Sequence, residues 1–314
     1  MNYYNGLKKL IKARIILNEP MSRHTTFRIG GPAALWIEPE EVGDLKRIVK
    51  FIHKKKIPFF VIGLGSNLLV NDNGFKGIVV RLNSGFFKEV KVFGNSIFAR
   101  SGASLKQIIQ TAKENHLGGC EFLSGIPGSL GGAIAMNAGA RCNRIFNNHY
   151  QNIGDLIQQV EVMDSSGRIK TLKKDKLKFG YRNSNLVKYI IISAKLKLRH
   201  KIIKEIEQEI NNFLSYKRST QELKLPSAGC VFKNPRIAFK NSPSVQALSA
   251  GYLIDASGLK NYRVGGAAIS NKHANYIVNL KNAKASDVMK IIKFAQKKIK
   301  EKFNLSLQPE IKII

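Results

Sequence analysis

Two short runs of glycine and small polar residues carry the strongest chemical signal in this sequence: GLGSN at 63–67 and SGIPGSLGG at 124–132. Gly63, Gly65, Ser66 and Asn67 can form a tight turn whose N–H groups and small side chains face an anion, although an ordinary turn has the same composition. The second run (Ser124, Gly125, Pro127, Gly128, Ser129, Gly131 and Gly132) offers backbone donors and two hydroxyls with no bulky side chain in the way. It leads into AIAMNAGA, a predicted small-residue helix whose N-terminus favours negative charge. A pyrophosphate held between the two runs explains both, with a flat, charged cofactor approaching the bare backbone. A dinucleotide fingerprint needs G-x-G-x-x-G opening a helix, but Leu68 fills the third glycine slot and LLVNDNGFKG continues as strand and turn. That motif is excluded.

The elements that must hold these runs follow from apolar spacing. Val42, Leu45, Ile48, Val49 and Ile52 line one helix face, and Leu105, Ile108, Ile109 and Ala112 a second. Ile203, Ile206, Ile210, Phe213 and Leu214 line a third. Val288, Ile291, Ile292, Ala295 and Ile299 line a fourth, with Ser286 as the expected N-cap. Strands are predicted at 58–63, 77–82, 97–100, 158–163, 189–198, 274–279 and 309–314, and RIKTL after the Asp164–Gly167 turn makes a hairpin. The absence of strict strand–helix alternation gives an α+β class. The polar stretch 199–202 marks the expected domain boundary, and residues 1–20 are expected to form a helical segment packed on its own domain.

Composition narrows the function. The formal net charge is +31, from 52 Lys and Arg against 21 Asp and Glu. Such a balance invites a nucleic-acid partner. Yet the bases are mostly Lys spread over the whole chain, and Lys, Asn and Ile share A/T-rich codons, so compositional drift accounts for the surplus. No zinc-finger spacing, basic-zipper pattern or aromatic strand accompanies the charge, and no stable nucleic-acid partner is expected. There is no apolar run long enough to span a membrane and no signal-peptide pattern at the start, so a cytoplasmic protein is expected. Cys120, Cys142 and Cys230 are too few and scattered for a disulfide framework or a zinc site, and no histidine spacing makes a metal site.

The segments TTFRIGGPA (25–33), GLGSNLLV (63–70), SGIPGSLGGAIAMNAGA (124–140), FGYRNS (179–184), LPSAGCVFKNP (225–235), ASGLKNYRVGGAAISNKHANYIVN (256–279) and QPEIKII (308–314) occur in that order. Together they resemble the UDP-N-acetylenolpyruvoylglucosamine reductases, flavoenzymes that make UDP-N-acetylmuramate for peptidoglycan. The likeness runs from about residue 20 to the end. The short spacing between FGYRNS and LPSAGCVFKNP is similar to the branch without an extra tyrosine-bearing loop. The resemblance implies a vanillyl-alcohol-oxidase (PCMH-type) FAD-binding fold over 21–200, in subdomains of about 21–75 and 76–200. A smaller α+β substrate-binding domain over 201–314 follows. Thr26, Arg28 and Gly30–Ala33 would open the flavin domain, and the two glycine runs would contact the FAD pyrophosphate. FAD would be non-covalent, NADPH the reductant, enolpyruvyl-UDP-GlcNAc the substrate, and the protein a monomer.

The reaction so implied passes hydride from flavin N5 to the enolpyruvyl group and then protonates an enolate-like species. It needs a cation and donors for the developing charge, an acid near C2 and a means of orientation. By resemblance Arg182 stabilises charge, its planar fork matching a carboxylate; outside its motif it reads as a solvated surface arginine. Glu310 matches the family glutamate, but alone it reads as a strand-end acid. The proton-donor slot, commonly serine, holds Cys230, and Ser227 cannot reach that slot without breaking the register of VFKNP. A thiol, with ordinary pKa near 8.5, is a stronger acid than a hydroxyl and can donate to a carbanion. The alternative is that Cys230 packs while water supplies the proton. Tyr216, Lys217, Lys233 and Asn234 are candidates for the substrate diphosphate and carboxylate. Arg263, Asn271, His273 and Asn275 would face the substrate cleft, or else form a structural loop. A flavin oxidase of sugars or hydroxy acids would share the flavin half, but FKNP, YRNS and the terminal PE belong to the reductase pattern.

Overall fold

The computed structural model describes residues 2–141, 150–235 and 248–314; Cys142 lies outside them. The fold is α+β, and its contacts divide the chain into two units. The first comprises 1–19, 33–64 and 76–219, and the second 20–32, 65–75 and 220–314.

The first unit opens with a helix over Asn2–Lys8, but the next stretch, expected to continue it, is a strand over Ala13–Pro20. The Ile15–Ile16 pair and the place available beside Pro32–Pro39 favour extension over a second helical turn. The strands run in the order Ala13–Pro20, Pro32–Pro39, Phe75–Arg81, Phe59–Ile62, the last pair parallel. The helix Val42–Lys55 lays Leu45, Ile48, Val49 and Ile52 against Leu35, Ile37, Ile78 and Val80 of that sheet. Lys56, in the left-handed conformation, ends it.

A second, five-stranded sheet has the order Ile169–Lys173, Ile157–Met163, Ile190–Lys197, Ser96–Arg100, Val90–Phe93, all antiparallel. Its core joins Ile97, Val160 and Leu196 to Leu105 and Ile108 of the helix Leu105–Glu114, which Ser104 caps by accepting from Gln107 N. The helix Ile203–Thr220 was expected to begin the next domain. Its Phe213 instead completes this core, and the contact boundary falls after Ser219.

The second unit is woven from three stretches of chain. Ser227–Cys230, Tyr276–Asn279, Ala267–Ile269 and Arg263–Val264 form an antiparallel sheet in that order. The helix Ala285–Phe303 covers it with Val288, Ile291, Ile292 and Ile299, each worth about 1.5–3 kcal/mol of burial as an upper bound. Ser286 does not cap this helix. Lys284 holds the N-cap position, and the carboxylate of Asp72 accepts from Ala285 N (2.7 Å) and Ser286 N (3.0 Å). Burial alone would raise the Asp72 pKa, but those two N–H groups, the Ser286 hydroxyl and the Lys284 charge together outweigh it and hold the carboxyl below its ordinary value. The expected terminal strand is short: Lys312–Ile313 pairs in parallel with Leu68–Leu69. The segment TTFRIGG, expected in the flavin domain, clusters here too, since Thr26 Oγ1 donates to Ser227 O (2.7 Å) and Asn279 Nδ2 to Phe27 O (3.1 Å).

Candidate functional site

In the first unit Gly63, at the head of the first glycine run, meets the second run. A Cβ built on Gly63 would strike Ser129 Oγ and lie 3.9 Å from the Gly132 Cα, and one on Gly131 would come 3.0 Å from the Ser101 Cβ. At these two positions, therefore, what approaches the bare backbone is the protein itself. The helix after the second run starts earlier than expected, at Leu130, and ends at Ala135, because Ser129 caps it by accepting from Gly132 N. Leu130 N donates to Ala103 O and Gly131 N to Ser101 O, which consumes part of the donor supply. Among the described residues, nothing accepts from the N–H of Gly125, Gly128 or Ser129, and the buried Ser124 Oγ has no hydrogen-bond partner. Buried polar groups are seldom left so. These four donors, with Gly125 and Pro127 exposed beside them, fit the phosphates of a bound nucleotide cofactor.

The same segment carries Arg182. Asn137, just past the short helix, donates from Nδ2 to Gly180 O (3.0 Å) and accepts at Oδ1 from Gly154 N, while Ser184 Oγ donates to Ala135 O (3.0 Å). Those bonds fix the hairpin in which Phe179 pairs with Ser184 and Gly180 with Asn183. Arg182 sits in its turn at φ +53, a left-handed conformation that costs a side-chain-bearing residue about 1–2 kcal/mol. A glycine would relieve that cost, so the guanidinium is what the turn is built to present. It donates to Gly139 O (3.3 Å) and lies 5.7 Å and 5.5 Å from the ring centres of Tyr150 and Tyr181. Lys217, only 6% exposed, donates to Ser124 O at 2.7 Å. Burial, and secondarily the Arg182 charge, push its pKa down to about 7. The neighbouring Tyr216 is half-buried and accepts at its carbonyl from Ser219 Oγ.

In the second unit the segment after Cys230 is joined to the segment holding Glu310 by an isolated bridge. Glu310 N donates to Val231 O (2.7 Å), Phe232 faces Pro309, and Lys233 N donates to Gln308 O (2.9 Å). Gly229 explains why a glycine precedes the cysteine. The register jumps between Ser227↔Val278 and Cys230↔Tyr276, and Gly229 takes φ +76 in that irregularity. Ser66 and Asn67 lie in this unit, where Asn67 Nδ2 donates to Glu310 O (3.2 Å) and Lys312 N to Asn67 O. Gly65, at φ +64, has its Cβ space filled by the His24 carbonyl.

The remaining candidates divide by what their polar atoms already do. Asn275 is 3% exposed, and its amide accepts from Phe232 N (2.9 Å) and donates to Phe232 O (2.8 Å), as a neighbouring strand would. His273 Nδ1 accepts from Asn275 N (3.2 Å), which puts its proton on Nε2, and burial lowers its pKa. Asn234 is exposed, with Oδ1 accepting from Ala250 N at the start of the helix Ala250–Ala256. Lys233 is half-buried. The sequence reading missed Asn137, Ser184 and Asp72; Ser184 stands inside FGYRNS, but its bond to Ala135 has no local signature.

Residues 33–173 match the FAD binding domain family, and residues 221–314 match the C-terminal domain of UDP-N-acetylenolpyruvoylglucosamine reductase. The reductase of that name from Caldanaerobacter subterraneus subsp. tengcongensis is 40% identical over 311 residues, spanning 98% of this chain and 96% of that one. The chain belongs to the UDP-N-acetylenolpyruvoylglucosamine reductase family. It is an oxidoreductase with an FAD-binding domain. A Clostridium botulinum member is 40% identical over 299 residues, covering 95% of this chain and 92% of its own. The crystal structure of the Thermus caldophilus member superposes with a TM-score of 0.78 at 33% identity, covering 96% of this chain and 99% of that one. Phl p 4.0202, a glucose dehydrogenase, covers 65% of this chain and 45% of its own at 16% identity and TM-score 0.50, a likeness of fold alone.

Proposed function

We propose that the protein reduces enolpyruvyl-UDP-GlcNAc to UDP-N-acetylmuramate, a peptidoglycan precursor, using NADPH and non-covalent FAD. The observation that carries this reading is the backbone link from Glu310 N to Val231 O, beside the Phe232–Pro309 bridge, which brings Glu310 to the residue after Cys230 in a chain whose relatives bear the reductase name. FAD bound along the glycine runs supplies hydride transfer, from NADPH to the substrate's enolpyruvyl group. Ser124, Gly125, Gly128 and Ser129 hold its phosphates, and Gly63, Gly65, Gly131 and Gly132 let the loops close.

The chain's own residues handle charge and proton. Arg182 holds the substrate carboxylate through its guanidinium fork as negative charge develops there. Cys230 keeps a proton at Sγ and delivers it to C2, and Glu310 steadies the enolate. Asn275 fixes the backbone at Phe232, two residues from the thiol, and so acts as a positioning residue. Tyr216, Lys217, Lys233, Asn234 and His273 remain the set from which substrate contacts are drawn. Functionally, 21–200 forms the flavin part and 201–314 the substrate part. The protein works as a cytoplasmic monomer without a nucleic-acid partner. No described helix is long and apolar enough to cross a membrane.

The test is an anaerobic absorption spectrum. A flavin spectrum that bleaches with NADPH and recovers with the enolpyruvyl sugar nucleotide supports the whole reading. Bleaching without recovery rejects the substrate, and failure to bind FAD rejects the flavin.

A further inference from the structure

Lys217 is a buried cation that the protein leaves without a counter-ion. No described carboxylate pairs with it, and the segments 142–149 and 236–247 contain no Asp or Glu. The one acid close along the glycine turn, Glu121, is engaged with Gly119 N and with Lys201, which also bridges Glu209. Beside the ammonium are Ser124 and Gly125 from the turn and Arg182 from the hairpin; Leu214, on the lysine's own helix, approaches the same face of Gly125, and Tyr216 and Arg218 flank Lys217 in the chain. An uncompensated buried charge costs several kcal/mol, and a second cation beside it adds to that cost. Next to it stands a second group without a partner, the Ser124 Oγ, in a residue only 3% exposed. A Cβ at the exposed Gly125 would lie 3.7 Å from Lys217 Nζ, so the lysine sits within reach of whatever rests on that glycine.

We propose that Lys217, the Ser124 hydroxyl and the Gly125 N–H form one oxyanion subsite, which takes a phosphoryl oxygen of a bound diphosphate and acquires a proton as it fills. This deepens the flavin-reductase reading and rests on it. An anion beside the ammonium restores the charged form that burial disfavours, so binding and protonation are thermodynamically linked. The sign follows directly. With the unliganded ammonium pushed down to about 7, roughly nine-tenths of the sites are neutral at pH 8, and a ligand that holds the charged form draws in up to about 0.9 proton per site. The diphosphate belongs either to FAD or to the nucleotide that follows it, and the two are separable.

The experiment is titration calorimetry at pH 8 in buffers of different ionisation enthalpy, where the slope counts protons. One arm adds FAD to flavin-free protein; the other adds NADP⁺, then UDP-N-acetylglucosamine, to the flavin-loaded protein. Wild type is expected to take up close to one proton in one arm. Lys217→Met should lose that uptake and bind at least tenfold more weakly, and Lys217→Arg, which keeps its charge and its donor, should bind without uptake. Uptake in the first arm assigns the subsite to the flavin diphosphate, and in the second to the nucleotide. Flavin binding with equal proton counts for wild type and Lys217→Arg in both arms overturns the subsite alone, whereas absence of flavin binding overturns the flavin reading.

Discussion

Asn275 separates a structural role from a substrate contact most sharply. Its side chain makes two buried hydrogen bonds to the main chain of Phe232, at 2.9 and 2.8 Å, and Phe232 is itself only 2% exposed. Asn275→Ala therefore leaves a buried N–H and a buried C=O with no water to replace the amide. Each unsatisfied group costs about 1–3 kcal/mol, or about 2–6 kcal/mol for the pair. Against a total stability of about 5–15 kcal/mol that is a large loss, and the melting temperature should fall by roughly 5–15 °C. Thermal unfolding followed by circular dichroism measures it, with Asn234→Ala as comparison. Among the described residues, that exposed side chain serves the Ala250 N–H alone, and its loss should cost about 1 kcal/mol. Because Phe232 lies two residues from Cys230, the Asn275 variant should also lose kcat more than KM. A protein that melts within about 2 °C of wild type but shows a raised KM would refute the clamp and make Asn275 a substrate ligand.

Three further outcomes are expected. Cys230→Ala should leave flavin bleaching by NADPH intact while slowing product formation by about 10²–10⁴-fold, and Cys230→Ser should recover much of it; equal turnover for thiol and methyl would assign the proton to water. Arg182→Gly removes the left-handed strain but also the Gly139 bond and the ring contacts, so stability should change by no more than about 1 kcal/mol in denaturant titration while turnover collapses. Asp72→Ala should cost about 1–2 kcal/mol at neutral pH by uncapping Ala285–Phe303. Since the Asp72 pKa is lower folded than unfolded, that contribution is full above about pH 5 and lost as the pH falls through the folded value. Wild type and variant should thus converge in acid melts.

What the sequence disclosed, and what it hid, follows the range of the forces involved. Helix faces such as Val42–Ile52 and Val288–Ile299 are written in local periodicity, and the structure places helices there. Ala13–Pro20 reads as helix locally because ARIILNEP has no helix stop before it, and it becomes a strand by pairing with Pro32–Pro39. Ser286 looked like a cap because capping is usually local, whereas Asp72 lies 213 residues from the Ala285 it serves. The candidate residues came from motifs, which name side chains but not their partners. Asn275 and Asn234 were therefore grouped with Lys233, although both amides are engaged with the protein's own backbone. The glycine runs pointed to close approach, but a sequence does not distinguish approach by Ser129 or Ser101 from approach by a ligand.

The second unit's interlaced chain also sets an order of events during synthesis. Asn67 leaves the ribosome 243 residues before the Glu310 whose carbonyl it binds, and Leu68 waits equally for its strand neighbour near Lys312. At about 5–20 residues per second that interval is roughly 12–50 s. Once residue 219 has emerged, residues 65–75 are tethered to a half whose chain is complete, with unpaired backbone and apolar Leu68–Val70 exposed to any passing strand or chaperone. Slow translation of the C-terminal third would lengthen that exposure without altering a single contact of the finished protein.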